Sequence, residues 1–314
     1  MFKKINSCRV CSSKKLQMII NLGDQPLANA LLKKSFRAEK KIPLKVVMCE
    51  SCKVLQLEHT VRPDILFKKY LWVTGTSEKA AEYRKFFFNK IKKLTPKKSF
   101  ICEIASNDGF FLEIFKKDYE TLGVDPAKNI AKIAKKKGIN TIVDFFNFNL
   151  AKKIVIQKNK HADIVICRNV IPHIENITQV MNGLKHLLSK KGIGIIEFHN
   201  ATNILNKLHY DYIYHEHIFY FTLTSMVSTL QRFGLYAYDY FLSPISGGSY
   251  VVMFKKVKYK KSSKLKKQLN SERLLKENHV STWRLLDKMC QSHKINFLKK
   301  LINIFENKKI VGYG

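Results

Sequence analysis

The sequence is short of several things, and each shortage removes a class of answer. Acidic side chains are few: 24 Asp and Glu stand against 57 Lys and Arg in 314 residues, a formal charge of +33. Such an excess fits a polyanion partner. Here, however, the lysines are spread from end to end, arginines are few and no aromatic-interleaved basic motif occurs. The charge therefore reads as lysine bias, and nucleic acid is not an expected partner. No apolar run reaches the roughly eighteen residues of a membrane span. The opening Met-Phe-Lys-Lys-Ile-Asn-Ser lacks the apolar core of an export signal, so the expected location is cytoplasmic. Two familiar motifs are missing as well. HExxH fails because Phe219 stands where the second ligand to follow His215-Glu216 would be. GxGxxG fails because Ala105 and Asn107 stand where glycine is required.

What is present is enough for a folded enzyme-sized chain. Apolar residues make up 46% and aromatics 11%, with room for a sizeable core and two or three small domains. Seven cysteines, an odd number without an export signal, argue against a disulfide framework. Four of them form two knuckles, Cys8-Arg-Val-Cys11 and Cys49-Glu-Ser-Cys52. Four thiolates so spaced complete a closed tetrahedral site, so structural zinc is expected there, with no open position for substrate. Cys102, Cys167 and Cys290 read as ordinary buried cysteines.

The chain is organised around Phe100–Phe115. Residues 100–104 read as an apolar strand, residues 110–117 as the start of a helix, and Glu103-Ile-Ala105-Ser-Asn107-Asp-Gly109 as the turn between them. Such a turn offers backbone N–H groups to a ligand. Asp125, at the tip of the next short strand, is placed to hydrogen-bond the hydroxyls of a ribose. The pair fits a nucleoside cofactor, NAD or S-adenosylmethionine. Further strands are expected at 121–124, 140–143, 163–167 and 192–198, with helices near 127–137, 148–154 and 176–189. This alternation gives an α/β fold with a parallel, doubly wound sheet. Arg168, Asn169 and His173 then fall just past a strand's C-terminal end, where such sheets bind ligands.

On either side lie less regular stretches. A turn at 73–77 leads into a helix over 79–93, with Ser77 as its N-cap. The aromatic segment His209–Phe221 holds His215, Glu216 and His217. If extended, it puts both histidines on one face and the carboxylate on the other. A histidine beside tyrosines in an apolar setting can act as a general base near neutral pH. A strand-rich module follows at 236–255, then lysine-rich helices over 262–308. Val311-Gly-Tyr-Gly314 reads as the opening of another α/β unit.

Taken in order, the knuckles, Gln25-Pro-Leu-Ala-Asn29, Glu103-Ile-Ala-Ser-Asn-Asp-Gly109, Tyr214-His-Glu-His217 and Gly247-Gly-Ser249 resemble the nucleotide-sugar C-methyltransferases of deoxysugar biosynthesis. The resemblance spans nearly the whole chain. It implies a class I methyltransferase sheet of Rossmann type, a small zinc-binding domain at 1–62 and a linker and helix at 63–98. A cofactor domain at 99–203 and a substrate-binding region with a partial C-terminal α/β domain at 204–314 would follow. S-adenosylmethionine would meet Glu103, Ala105, Asn107, Gly109, Asp125 and Asn169. The implied substrate is a nucleoside-diphosphate 4-keto-6-deoxy sugar, deprotonated at carbon 3 before methyl transfer. His217 takes the place of the base, Tyr214 and Glu216 are oriented at the sugar, and His173 stands nearby.

Two departures from the family pattern carry expectations. Trp72 in Tyr70-Leu-Trp72 replaces a tyrosine, so a hydroxyl is lost there. Family chains also run well beyond position 314, so a fragment or truncated frame is expected. A monomer is favoured. The competing readings are a basic RNA methyltransferase with a zinc knuckle and a folded relic without turnover.

Overall fold

The protein is described from a computed structural model over residues 1–30, 39–68 and 70–305. The terminal stretch read as the opening of a further α/β unit lies outside the described residues. The N-terminal part supplies β1 (Phe2–Lys4), β2 (Leu16–Gln25), β3 (Ile42–Cys49), β4 (Leu55–Leu57) and β5 (His59–Val61). β2, β3 and β4 form an antiparallel sheet in which Leu16 faces Cys49, so the two cysteine knuckles meet at one end. β1 pairs separately with β5.

Helix α1 (Pro63–Phe67), a 3-10 turn at Thr74–Thr76 and helix α2 (Glu78–Ile91) lead into the main domain. The Ser77 hydroxyl accepts the Ala80 N–H at 3.3 Å, the expected cap. Apolar runs buried on both faces then become parallel strands: β6 (Phe100–Ile104), β7 (Glu120–Val124), β8 (Thr141–Ile142), β9 (Ala162–Arg168) and β10 (Leu188–His199). Helices α3 (Phe110–Glu113), α4 (Lys128–Lys136), α5 (Phe148–Lys158) and α6 (Ile177–Leu187) connect them. α4 shows the pattern, burying Ile130, Ala131 and Ala134.

Beyond the fifth parallel strand come α7 (Thr202–Asn206), β11 (Phe219–Tyr220), α8 (Leu223–Arg232), β12 (Tyr236–Ser243) and β13 (Ser249–Lys255). The central sheet runs β12-β13-β10-β9-β6-β7-β8, with β13 antiparallel to both neighbours. That is the order and reversal of the class I methyltransferase sheet. The strands read as a separate module at 236–255 therefore complete this sheet, and a division at residue 203 cuts across it. β11 leaves the main domain and pairs with β4, making the N-terminal sheet four-stranded. Cys8, Cys49 and Val54 share one core with Phe198, Phe219 and Phe221, so the knuckles pack directly on the central domain.

Three helices end the described chain: α9 (Ser263–Leu274), α10 (Val280–Trp283) and α11 (Leu285–Phe305). The Glu272 carboxylate, fully buried, accepts the Leu223 and Thr224 N–H groups at 2.9 and 2.8 Å and so caps α8.

Candidate active site

The chain reverses direction in the sheet between β6 and β9, and a cavity of about 1210 Å³ opens at the C-terminal ends of these strands. A volume above the roughly 300–1000 Å³ usual for one small ligand leaves room for two. Ala105, Asn107, Asp125, Asn169, His173, Tyr214 and His217 all line it. Three other expected site residues do not. Glu103 is fully buried behind it, Gly109 caps α3, and the Glu216 side chain turns elsewhere.

The turn after β6 has the backbone shape of a glycine loop, built largely without glycine. Ala105, Asn107 and Gly109 have φ of 54°, 51° and 71°, all left-handed. For the two non-glycine residues this costs roughly 1–3 kcal/mol each, which the surroundings must offset. Asp125 supplies part of that support. Its two oxygens accept the Asn107 and Ala127 N–H groups, both at 2.9 Å, while burial pushes its carboxyl above the usual range. Asn107 in turn ties the loop to the segment before α2: Thr74 N–H donates to its carbonyl at 2.9 Å, and its amide donates to Trp72 O at 3.1 Å. The stretch read as a linker is thus a wall of the cavity, with Pro63, Phe67, Tyr70 and Trp72 on it.

The opposite wall is the turn from Tyr210 to Ile218. It is not extended, and the reason is local: Tyr210–Tyr212 forms a 3-10 turn and His217 N–H bonds back to Tyr214 O at 3.0 Å. The two histidines therefore part company. His215 Nε2–H points away and donates to Ile42 O at 3.1 Å. His217 faces the cavity. Its Nδ1 lies 2.8 Å from Tyr212 O, and a carbonyl only accepts, so Nδ1 carries the proton. That leaves Nε2 as the basic nitrogen, and the Tyr214 hydroxyl donates to it at 3.0 Å. His173 is fixed the same way, its Nδ1–H donating to Glu216 O at 2.8 Å, and the two imidazole rings lie 4.8 Å apart. Burial holds both rings neutral: His173 is pushed down to about 4, and His217 well below its usual 6.5. Burial also pushes Tyr214 up, so it stays a phenol.

Two further residues of this wall escaped the sequence reading. His199, at the tip of β10, stacks on Tyr212 at 3.8 Å and lines the cavity. Its Nε2 is buried with no hydrogen-bond partner among the described residues, and burial pushes its pKa down to about 4. The rule that singled out Asn169, a polar residue at a strand's C-terminal end, would have found it. Asn29 was quoted in the sequence only as part of a motif. Its amide donates to Glu216 Oε1 at 2.6 Å across 187 positions, a contact no local pattern reveals.

The four knuckle thiols are free, and their sulfurs lie within 4.8 Å of one another, with Cys8–Cys52 and Cys11–Cys49 both at 3.5 Å. Thiolates about 2.3 Å from one tetrahedral ion need this spacing. Gln56 Nε2 and Val10 N donate to Cys8 Sγ at 3.1 and 3.4 Å, which favours its thiolate. The residues fit zinc.

Comparison with known proteins gives two family matches: "Putative zinc binding domain" over residues 8–67 and "Methyltransferase domain" over residues 75–239. The chain is 31% identical over 255 residues to the C-methyltransferase NovU of Streptomyces niveus, covering 80% of this chain and 60% of that protein. It thus spans less than two thirds of that relative's length. Among solved structures, an S-adenosylmethionine-dependent methyltransferase from Clostridium acetobutylicum matches with TM-score 0.44 and 12% identity, covering 56% of this chain and 91% of that one. The magnesium protoporphyrin IX methyltransferase from Synechocystis gives 0.42 and 13%, covering 57% and 81%. Likenesses this distant say nothing about the site. No described helix is long and apolar enough to cross a membrane.

Proposed function

The chain belongs to the methyltransferase-domain family, and from that premise we propose that it is an S-adenosylmethionine-dependent C-methyltransferase acting on a nucleotide-linked keto-deoxy sugar. One observation carries the reading: a tautomer-fixed, neutral imidazole paired with a phenol faces the same cavity as the cofactor loop. Methylation at a hydroxyl needs a base for the departing proton, but it leaves no new oxyanion to be held. Methylation at carbon needs a base that first removes a C–H proton, and a donor for the oxyanion that forms.

S-adenosylmethionine supplies an electrophilic methyl group. Ala105, Asn107, Asp125 and Asn169 would hold its nucleoside and amino-acid ends, and the fit rests on the left-handed loop and the buried acid at the β7 tip. His217 Nε2 takes the proton from the carbon beside the ketone, and its Nδ1–H stays on Tyr212 O throughout. A buried imidazole with a depressed pKa is a weak base when alone. The enolate formed beside it is negative and stabilises the imidazolium, so the pair forms together. Nε2 takes the C–H proton only as the Tyr214 hydroxyl leaves it, and the freed O–H then donates to the enolate oxygen. The stacked rings of His199, Tyr212 and His217 line one side of this space, and the aromatic side chains of Tyr70 and Trp72 line the other.

The test is methyl transfer itself. Incubated with S-adenosylmethionine and a nucleoside-diphosphate 4-keto-6-deoxy sugar, the protein should add one methyl group that mass spectrometry and NMR place on carbon 3. A methyl group found on oxygen would overturn the reading.

A further inference from the structure

Arg168 is built more tightly into the cavity floor than any role so far assigned requires. It ends β9, and its side chain is only 9% exposed. Its Nε–H donates to Glu103 Oε1 at 2.8 Å, and its guanidinium carbon sits over the Phe111 ring, 3.3 Å from the centroid. Arg168 and Phe111 both line the cavity. Among the described residues no hydrogen bond reaches its two terminal nitrogens. Glu197, opposite Arg168 on β10, is a second buried carboxylate close enough to feel the guanidinium charge, but it makes no hydrogen bond to these nitrogens and is turned toward Ser243 and Tyr83. One edge of the fork is therefore fixed, and the other is open to the cavity.

The sheet order says what that edge meets. Arg168 ends β9 and Asp125 follows β7, on the two sides of β6. Two strand spacings separate them, about 10 Å. A ligand laid over the β6 turn with its ribose at Asp125 therefore carries its other end toward Arg168. For a nucleoside amino acid that end bears a carboxylate, whose geometry matches a guanidinium edge.

We propose that Arg168 is the carboxylate clamp of this cavity, taking the amino-acid end of S-adenosylmethionine, with Glu103 and Phe111 as positioning residues that fix its open edge. The proposal rests on the cofactor reading above. It assigns Glu103 a different place from direct cofactor contact: the carboxylate aims the arginine.

Calorimetry on the whole chain tests it without turnover, using S-adenosylhomocysteine and 5′-methylthioadenosine, which lacks the amino-acid end. The parent chain should bind the first far more tightly. Arg168→Gln should lose roughly 10–100-fold for S-adenosylhomocysteine, the worth of a charged hydrogen-bond pair, with methylthioadenosine nearly unchanged. Arg168→Lys keeps the charge without the fork and should lose less, again only for the ligand with the carboxylate. It is the decisive variant if Arg168→Gln fails to fold. Glu103→Gln should give a smaller loss of the same selectivity. Equal losses for both ligands, or none for S-adenosylhomocysteine, overturn the clamp. A parent chain that binds neither ligand overturns the cofactor reading, whereas one that binds both equally overturns only the clamp.

Discussion

The two walls of the cavity are held in different ways. The cofactor wall belongs to the sheet: β6 pairs in register with β7 and β9, and the loops at their tips are tied to each other by Asp125 and Asn107. The acid–base wall has almost no regular structure of its own. Its shape is borrowed from the N-terminal domain through Asn29 on Glu216, Ile42 O on His215, the pairing of β11 with β4, and Leu57 N–H on Ile218 O at 2.8 Å. A regular sheet carries the loop proposed to hold the cofactor, whereas the residues proposed to move a proton lean on a small domain that contains the four thiols. Binding and chemistry should therefore be separable by where the protein is damaged.

The largest separation should come from the metal site. Zinc removal, or Cys49→Ser, should unfasten the N-terminal sheet and with it the turn bearing His217, abolishing methyl transfer. Affinity for S-adenosylhomocysteine should stay close to that of the parent chain by calorimetry. Equal loss of both would show that the walls are not independent. Asp125→Ala should do the reverse. It should weaken cofactor binding by roughly 1.5–3 kcal/mol, because a charge-assisted bond to the ribose and the brace on the β6 loop go together. Calorimetry showing unchanged affinity would contradict it. Tyr214→Phe removes one donor and keeps the ring, so methyl transfer should slow by about tenfold, with cofactor affinity unchanged. Full activity would remove the phenol from the chemistry.

A further effect is on stability against pH. His173 and His199 are held at about 4 in the folded chain against 6.5 when unfolded. With the folded value depressed, protons bind the unfolded chain first. Stability is thus complete above pH 6.5 and falls as the pH drops from 6.5 toward 4. The melting temperature should decline across that window, and less steeply in His199→Gln. Equal slopes would show that this ring is not held neutral by burial.

Much of the cofactor wall was legible in the sequence because its elements are local. Parallel strands buried on both faces write themselves as apolar runs, and the turn of Ala105, Asn107 and Gly109 with Asp125 sits at fixed spacing. Even there, Arg168 was legible only by its place at a strand's end, and its bond to Glu103 was not, since that contact spans 65 positions. The acid–base wall was legible only as a cluster of residue types. Its extended shape was wrong because a 3-10 turn and a backbone bond at His217 override the alternation. Nothing local says that Asn29 meets Glu216 or that β12 and β13 return to the central sheet.

The central claim is that His217, held by the borrowed wall, removes a carbon-bound proton. The most direct measurement is exchange of the substrate's carbon 3 proton with deuterated water, followed by NMR with S-adenosylhomocysteine bound, for the parent chain and for His217→Asn. Loss of a positioned base predicts exchange slower by about 10²–10⁴, with S-adenosylhomocysteine affinity preserved. Exchange at the parent rate in His217→Asn would contradict the account and move the base to another residue, with His173 the nearest imidazole at 4.8 Å.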